Sequence, residues 1–165
     1  MDIQRHSTAW TAMSKADIVQ HIISEYHCAH RVQLAELLAQ SVELGNRVAN
    51  TGHWPHEFHS ILLKLYEDLL EHMLREEQIL FPLILSNEFG RLYNEKGLAL
   101  HNHDHHLHML DQLAVMSSEL AQIEPSGLLD AETQALSSAF RALLSHFSSE
   151  LRTHIGLEND YLFID

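Results

Sequence analysis

Apolar residues recur along the chain at spacings of three and four, the pattern of helices that bury one face. Short segments with Gly, Pro and Asn separate four such stretches: "NTGHWP", "NEFGRLYNEKG" and "EPSG". Runs of β-branched residues are scarce. The pattern predicts an all-α protein, an up-down-up-down antiparallel four-helix bundle, in one domain spanning 1–165 with an N-terminal arm at 1–13.

The start of helix one carries a recognisable signal. Ser14 followed by Asp17 at the third helical position predicts a capping box. Met13 and Ile18 occupy the two positions of a hydrophobic staple. The apolar pattern continues from there and ends near Gly45, a residue suited to the end of a helix.

The other three helices have weaker boundary signals. Pro55 suits the first turn of helix two, which ends around Ser86. The segment 87–97 is interpreted as a connection, in part helical, before helix three. Helix three ends at "EPSG", and Asp130 is the expected N-cap of helix four.

The buried faces predicted for helices two and four are each interrupted by one His and one Glu, one turn apart. The two faces read Leu62, Leu65, Leu69, His72, Glu76, Leu80 and Leu83, and Phe140, Leu144, Phe147, Leu151, His154, Glu158 and Leu162. A buried ionised carboxylate is costly without a strong partner. Both interruptions therefore indicate a buried cation.

Helices one and three each contribute one further inward histidine. His27 falls on the apolar face of helix one, and His103 is assigned to a face with Leu100, Leu107, Leu110 and Ala114. His101, His105 and His108 fall on a face that we expect to be solvated, and His30 is expected to pack beside the site. In an antiparallel bundle, side chains that meet at one height along the bundle axis come from early positions on helices one and three and late positions on helices two and four. The six His and Glu residues meet this condition.

The number and the type of the six donors limit the choice of metal. Six donors exceed the four of a tetrahedral zinc site, and imidazole with carboxylate suits iron, manganese or zinc more than calcium or magnesium. Two ions bridged by two glutamates would use all six. No Glu is followed by His three residues later, which excludes the ferritin-like ligand pattern. The predicted ligands are His27, His72, Glu76, His103, His154 and Glu158.

Four segments, "YHCAH", "HMLREEQILFP", "HNHD" and "HIGLENDYLF", resemble the hemerythrin-like, HHE cation-binding family. They are most similar to the hemerythrin domain of di-iron proteins of iron–sulfur cluster repair and nitric-oxide stress. The resemblance runs from about Trp10 to the end of the chain. It implies a non-haem centre of two iron ions on the same six residues, with Glu76 and Glu158 as bridges.

The sequence departs from that family in two places. The repair proteins carry an N-terminal domain with paired cysteines, and this sequence has a single cysteine, Cys28. Oxygen-carrying hemerythrins have a further histidine four residues after the first one on helix three, where this chain has Leu107. Both departures bear on function, the first on cluster repair and the second on oxygen carriage.

Composition limits the partners and the compartment. A formal net charge of -13 makes nucleic acid and anionic lipid poor partners. A lone cysteine, no apolar signal segment and no membrane span predict a cytoplasmic protein. A homodimer stays open, and the redox partner is not indicated.

The leading hypothesis is a di-iron protein that binds nitric oxide or oxygen under nitrosative or oxidative stress. The alternatives are iron storage or delivery, a di-iron oxidase or peroxidase-like enzyme, and a structural zinc site. The enzyme ranks lower because no acid–base residue stands out beyond the ligands. Asp68 and Glu150, each four residues before a ligand histidine, are the expected partners of His72 and His154. Without metal, the paired glutamates should hold a proton.

Overall fold

The computed structural model describes residues 10–51, 54, 57–86 and 88–164, and its described part consists of four long helices joined by short turns. Helix α1 comprises Lys15–His21, Ile22–His27 and Cys28–Val48; α2 comprises Phe58–Arg75, Glu76–Leu80 and Phe81–Ser86; α3 is Phe89–Ile123; α4 comprises Ala131–Leu157 and Glu158–Leu162. Short 3-10 turns at Ala49–Thr51 and Glu124–Ser126 follow α1 and α3. None of the described helices has an apolar run long enough to span a lipid bilayer.

The four helices pack as a closed ring. Helix α1 contacts α2 and α4, and α3 contacts the same two helices from the opposite side. The connections are short, so each helix runs antiparallel to the one before it. The predicted up-down-up-down bundle is confirmed.

Two of the predicted caps are present. The Ser14 hydroxyl donates to Asp17 Oδ2 at 2.7 Å and accepts from the Asp17 backbone N–H at 3.1 Å. The Asp130 carboxylate accepts from the Thr133 backbone N–H at 2.7 Å. Each cap satisfies a backbone donor that lacks a partner within the first helical turn. Helix α1 continues to Val48, three residues past the predicted end, and Pro55 lies outside the described residues.

The segment interpreted as a connection is largely the first part of α3, which begins at Phe89. Leu92 and Ala99 from this segment are buried, so the gain from burying them outweighs the low helix propensity of Gly90 and Gly97. The face of α3 also differs from the predicted one. Leu100 is exposed, and the buried positions run through Ala99, His103, His106, Leu110 and Leu113.

Two hydrophobic clusters occupy the two ends of the bundle. The larger contains the later part of α1 and the early part of α2, with Leu34, Leu62, Leu113 and Phe147 among its members. The smaller contains the opposite ends of the same helices, with Ile22 among its members. All buried His and Glu residues lie at the level between the clusters. Apolar side chains therefore cover this polar layer from both ends.

Three helices contain a π-helical turn next to the polar layer. The turns are Ile22–His27 in α1, Glu76–Leu80 in α2 and Glu158–Leu162 in α4. A π turn holds one residue more than an α turn and is common at functional sites. In α1 the buried positions consequently step by five, from Ile22 to His27, so that His27 is buried while Tyr26 stays half-buried.

Candidate metal centre

The six predicted side chains meet at one point inside the bundle. All six are at most 3% exposed. Their ligand atoms form two groups of four, each with every atom within 4.8 Å of the others: His27, Glu76, His154 and Glu158, and His72, Glu76, His103 and Glu158. Both groups contain both glutamates. The geometry therefore describes two adjacent cation positions with two shared carboxylates.

The carboxylate oxygens divide between the two groups. Glu76 Oε2 lies 3.4 Å from His27 Nε2, while Glu76 Oε1 lies 3.1 Å from His72 Nε2. Glu158 Oε1 lies 3.1 Å from His154 Nε2, while its Oε2 lies 3.1 Å from His103 Nε2. Each carboxylate thus presents one oxygen to each group. This is the arrangement that a bridging ligand requires.

The donor atoms are close together, yet most are not hydrogen-bonded. All four glutamate oxygens, His27 Nε2 and both ring nitrogens of His154 are buried without a hydrogen-bond partner. Burying such groups unpaired costs about 1–3 kcal/mol each, and more when they are charged. A cation between the atoms would satisfy them together. The residues present therefore fit a pair of metal ions.

The residue after each glutamate holds a histidine of the neighbouring helix. Glu77, after Glu76, accepts from His27 Nδ1 at 2.7 Å and from Arg31 at 2.7 Å. Asn159, after Glu158, accepts from His103 Nδ1 at 2.8 Å through its side-chain oxygen. Such partners orient a metal-binding imidazole and leave its other nitrogen to the metal.

The Leu-Phe pair that ends each motif also serves the site. Phe81 stacks on the His27 ring with centroids 5.8 Å apart, and Phe163 stacks on the His103 ring at 5.7 Å. Each phenylalanine follows its glutamate by five residues, across the π turn. The repeated sequence pattern thus builds the two halves of the site in the same way.

The predicted partners of His72 and His154 were wrong. Asp68 pairs with Lys64 at 3.0 Å and lies 3.5 Å from His105, and the Asn102 amide is the group near His72 Nδ1, at 3.4 Å. Glu150 accepts from Gln33. His154 Nδ1 has no hydrogen-bond partner, and the Tyr26 ring stacks on its imidazole at 5.3 Å.

Two further buried histidines flank the ligand groups. His30 is the residue expected beside the site, and it packs against the His154 ring at 5.3 Å. His106 was missed; it packs against the His72 ring at 5.1 Å. Each lies three residues after a predicted ligand of its helix. The spacing 99, 103, 106, 110 and 113 is the signal that could have identified His106.

Burial keeps these two flanking rings neutral. It lowers the pKa of His30 to about 3, with the neighbouring His154 adding to the effect. It likewise lowers the pKa of His106 to about 3, helped by His72 and His103. His30 Nδ1 lies 3.2 Å from the side-chain oxygen of Gln33, whereas His106 Nδ1 is buried without a partner.

Burial and the two glutamates act in opposite directions on the pKa values of His103 and His27. Burial opposes charge at His103, but the adjacent Glu158 and Glu76 outweigh it and raise its pKa to about 10. The pKa of His27 is raised for the same reason, chiefly by Glu76. The pKa values of Glu76 and Glu158 are lowered in spite of burial, because the surrounding histidines favour their charged forms. The expectation that the paired glutamates hold a proton is therefore wrong, because the pKa values of both are lowered.

A surface groove between α2 and α3 reaches one half of the centre. Its cavity of about 310 Å³ is lined by Lys64, Asp68, Glu71, His72, Arg75, Leu98, Asn102, His105 and His106. A narrower recess beside it is lined by His72, Glu76, Leu80 and Ala99, among others. The His72–His103 half is therefore the one that this groove connects to solvent.

Comparison with known proteins identifies the family. The model of the hemerythrin HHE cation binding domain matches residues 19–163. The iron–sulfur cluster repair protein YtfE of Salmonella paratyphi B is 30% identical over 154 residues, which are 93% of this chain and 67% of that protein. The proteins of the same name in Salmonella newport and Salmonella heidelberg match to the same extent. The chain belongs to the hemerythrin HHE cation-binding family.

Proposed function

We propose that the protein holds a non-haem di-iron centre. His27 and His154 would bind one iron, His72 and His103 the other, and Glu76 and Glu158 would bridge them. The division of carboxylate oxygens between the two groups is the observation that carries this proposal. A single structural zinc ion would use four donors and leave the rest buried and unpaired.

We further propose that the centre binds a small diatomic gas, nitric oxide or oxygen, in a nitrosative or oxidative stress response or in iron–sulfur cluster repair. The name of the relatives, iron–sulfur cluster repair protein, supports the repair setting. When bound, ferrous iron supplies coordination positions and electrons for such a gas. A cytoplasmic location agrees with the single cysteine.

The chain's own residues set the environment for that chemistry. Phe81 and Phe163 cover the rings of His27 and His103, and the two hydrophobic clusters exclude water from both ends of the layer. Glu77 and Asn159 hold two imidazoles in orientation. The glutamates keep their charge and so offset that of the cations.

The test is metal content and gas binding on protein purified without oxygen. We expect two irons per chain, loss of at least one in Glu158→Ala or His154→Ala, and a spectral change that saturates with nitric oxide. Glu67→Ala, an exposed carboxylate on α2, is the control and should keep both irons. One zinc per chain would overturn the di-iron centre. Two irons with no response to nitric oxide or oxygen would overturn gas binding alone.

Iron storage or delivery is the second candidate. The groove that reaches His72 favours it, because a polar path to solvent suits an ion more than an apolar gas. Retention of iron in the presence of a chelator would count against delivery. A di-iron oxidase ranks below both, since no acid–base residue stands out beyond the six proposed ligands.

A further inference from the structure

The mouth of the groove between α2 and α3 carries an exposed pair of metal-binding groups. His105 Nε2 lies 3.5 Å from Asp68 Oδ2, and both side chains are partly exposed. Lys64 also pairs with Asp68, at 3.0 Å. One carboxylate oxygen and one imidazole nitrogen are too few for a tight site. They suit brief capture of a transition-metal cation.

The inner wall of the groove contains a buried donor with no partner. His106 lines the cavity and is 1% exposed, and its Nδ1 has no hydrogen-bond partner. A neutral imidazole offers one lone pair to a cation. His72, a proposed ligand, lines the same cavity and packs against the His106 ring. The donors thus form a series from the surface to the centre.

The opposite half of the centre carries a similar exposed pair, with His146 Nε2 3.4 Å from Glu150 Oε1, but neither residue lines the groove. His30 occupies the position that corresponds to His106, three residues after the proposed ligand of its helix. Its Nδ1 faces Gln33, and its Nε2 is buried without a partner, as His106 Nδ1 is. Its ring packs against Tyr26, Phe147 and His154. The two positions that the repeated pattern makes equivalent therefore differ in access, because His106 lines the groove and His30 does not.

The charges of the groove and the adjoining recess, taken together, also favour a cation. Asp68 and Glu71 line the groove with Lys64 and Arg75, and Glu95 adds a third negative charge from the recess beside it. Arg75 is held by Glu95 through two hydrogen bonds of 2.8 and 3.0 Å, which reduces its repulsion of an entering ion. The lining is polar for most of its length. An ion with a partial hydration shell fits it better than an apolar gas does.

We propose that this groove is the cation's route, with Asp68 and His105 capturing a ferrous ion and His106 carrying it to His72. The His72–His103 position then exchanges iron with solvent, and the His27–His154 position retains it. This inference rests on the proposed di-iron centre and adds a carrier ligand outside the six. No bond to carbon and no electron transfer is involved, since the ion exchanges ligands only.

The test is the rate of iron exchange, measured anaerobically on the full chain with ferrous ion alone and a chromogenic chelator. In His106→Leu, loading and release should both slow by about tenfold, the effect of about 1.4 kcal/mol on a barrier. A carrier raises or lowers both rates together, so affinity and stoichiometry should stay unchanged. His30→Leu, at the corresponding buried position, is the matched control and should exchange iron at the wild-type rate.

The mouth is tested separately with exposed residues whose replacement leaves the core intact. Asp68→Asn and His105→Ala should slow loading at low iron concentration, and His108→Ala, exposed on the same helix, should not. If His106→Leu does not fold, these variants decide the outcome, and unchanged loading in both overturns the route.

Three results with folded protein would overturn the carrier role of His106. They are wild-type rates in His106→Leu, equal slowing in His30→Leu, and a lost iron or weakened affinity in His106→Leu, which would make His106 a ligand or a structural residue. If the wild type binds two irons and any of these results is obtained with the variants, the route alone is refuted. A wild type that binds no iron refutes the proposed di-iron centre and the route with it.

Discussion

Glu77 offers a selective perturbation of one half of the proposed centre. Its carboxylate accepts from His27 Nδ1 and from Arg31, both at 2.7 Å, while the other half uses the neutral Asn159 in the equivalent position. Replacement by Gln keeps the shape and removes the charge. We expect Glu77→Gln to weaken the iron held by His27 and His154 and to spare the other.

The size of the effect follows from the bonds that change. Glu77 is three-quarters buried, and its charged hydrogen bond to the fully buried His27 is stronger than a neutral one. Loss of such an outer partner costs about 10–100-fold in metal affinity. This corresponds to about 1.4–2.7 kcal/mol. The Arg31 contact contributes less, because both of its partners are partly exposed.

The assay is a competition titration of ferrous iron against a chelator of known affinity at fixed pH. The wild type should give two affinities, and Glu77→Gln should lower one of them by the amount above. Glu67→Gln removes an exposed charge from the same helix and should leave both unchanged. Equal weakening of both irons, or no weakening, would show that Glu77 does not act through His27.

Three other properties follow from the same geometry. Metal-free protein should melt below the iron-loaded form, because the ligands link all four helices and the metal binds the folded state; equal melting temperatures at neutral pH would contradict this. Iron loading should release protons at pH 7, because the pKa of His103 is raised to about 10 and that of His27 is also raised. The iron affinity should therefore fall as the pH is lowered. Calorimetry in buffers of different ionisation enthalpy measures the number of protons released. The protein should be a poor reversible oxygen carrier that responds more readily to nitric oxide, because Leu107 leaves two histidines for each iron. Recovery of the diferrous spectrum when oxygen is removed would contradict this prediction. Loss of iron in His101→Ala without loss in His103→Ala would also contradict it.

The metal-free protein has a defined stability profile at the centre. A group whose pKa is higher in the folded than in the unfolded state stabilises the fold fully at pH values below its pKa in the unfolded state. For His103 this contribution is complete below about pH 6.5. It is lost as the pH rises through the folded value of about 10. The metal-free form should therefore be more stable near pH 6.5 than in alkaline solution, while at lower pH the lowered pKa values of His30 and His106 act in the opposite direction.

The helices and most of the centre could be predicted from local pattern. On α2 and α4 all fourteen positions of the two predicted faces are buried, because the helical period alone decides which residues share a face. His72 with Glu76, and His154 with Glu158, were identified as interruptions of those faces. Antiparallel order then placed His27 and His103 at the same level. These are consequences of spacing within one helix and of the order of helices.

Other features depended on how the helices pack together. The π turn in α1 shifts the buried face by one residue, and this shift cannot be predicted from the regular spacing of an α-helix. The predicted partners Asp68 and Glu150 lie on the same helix as their histidines, whereas the observed partners of His27 and His103 reach them from other helices. Contacts of this kind depend on the rotation and height of one helix against the next. Only the tertiary structure determines these two quantities, because they result from the packing of all four faces at once.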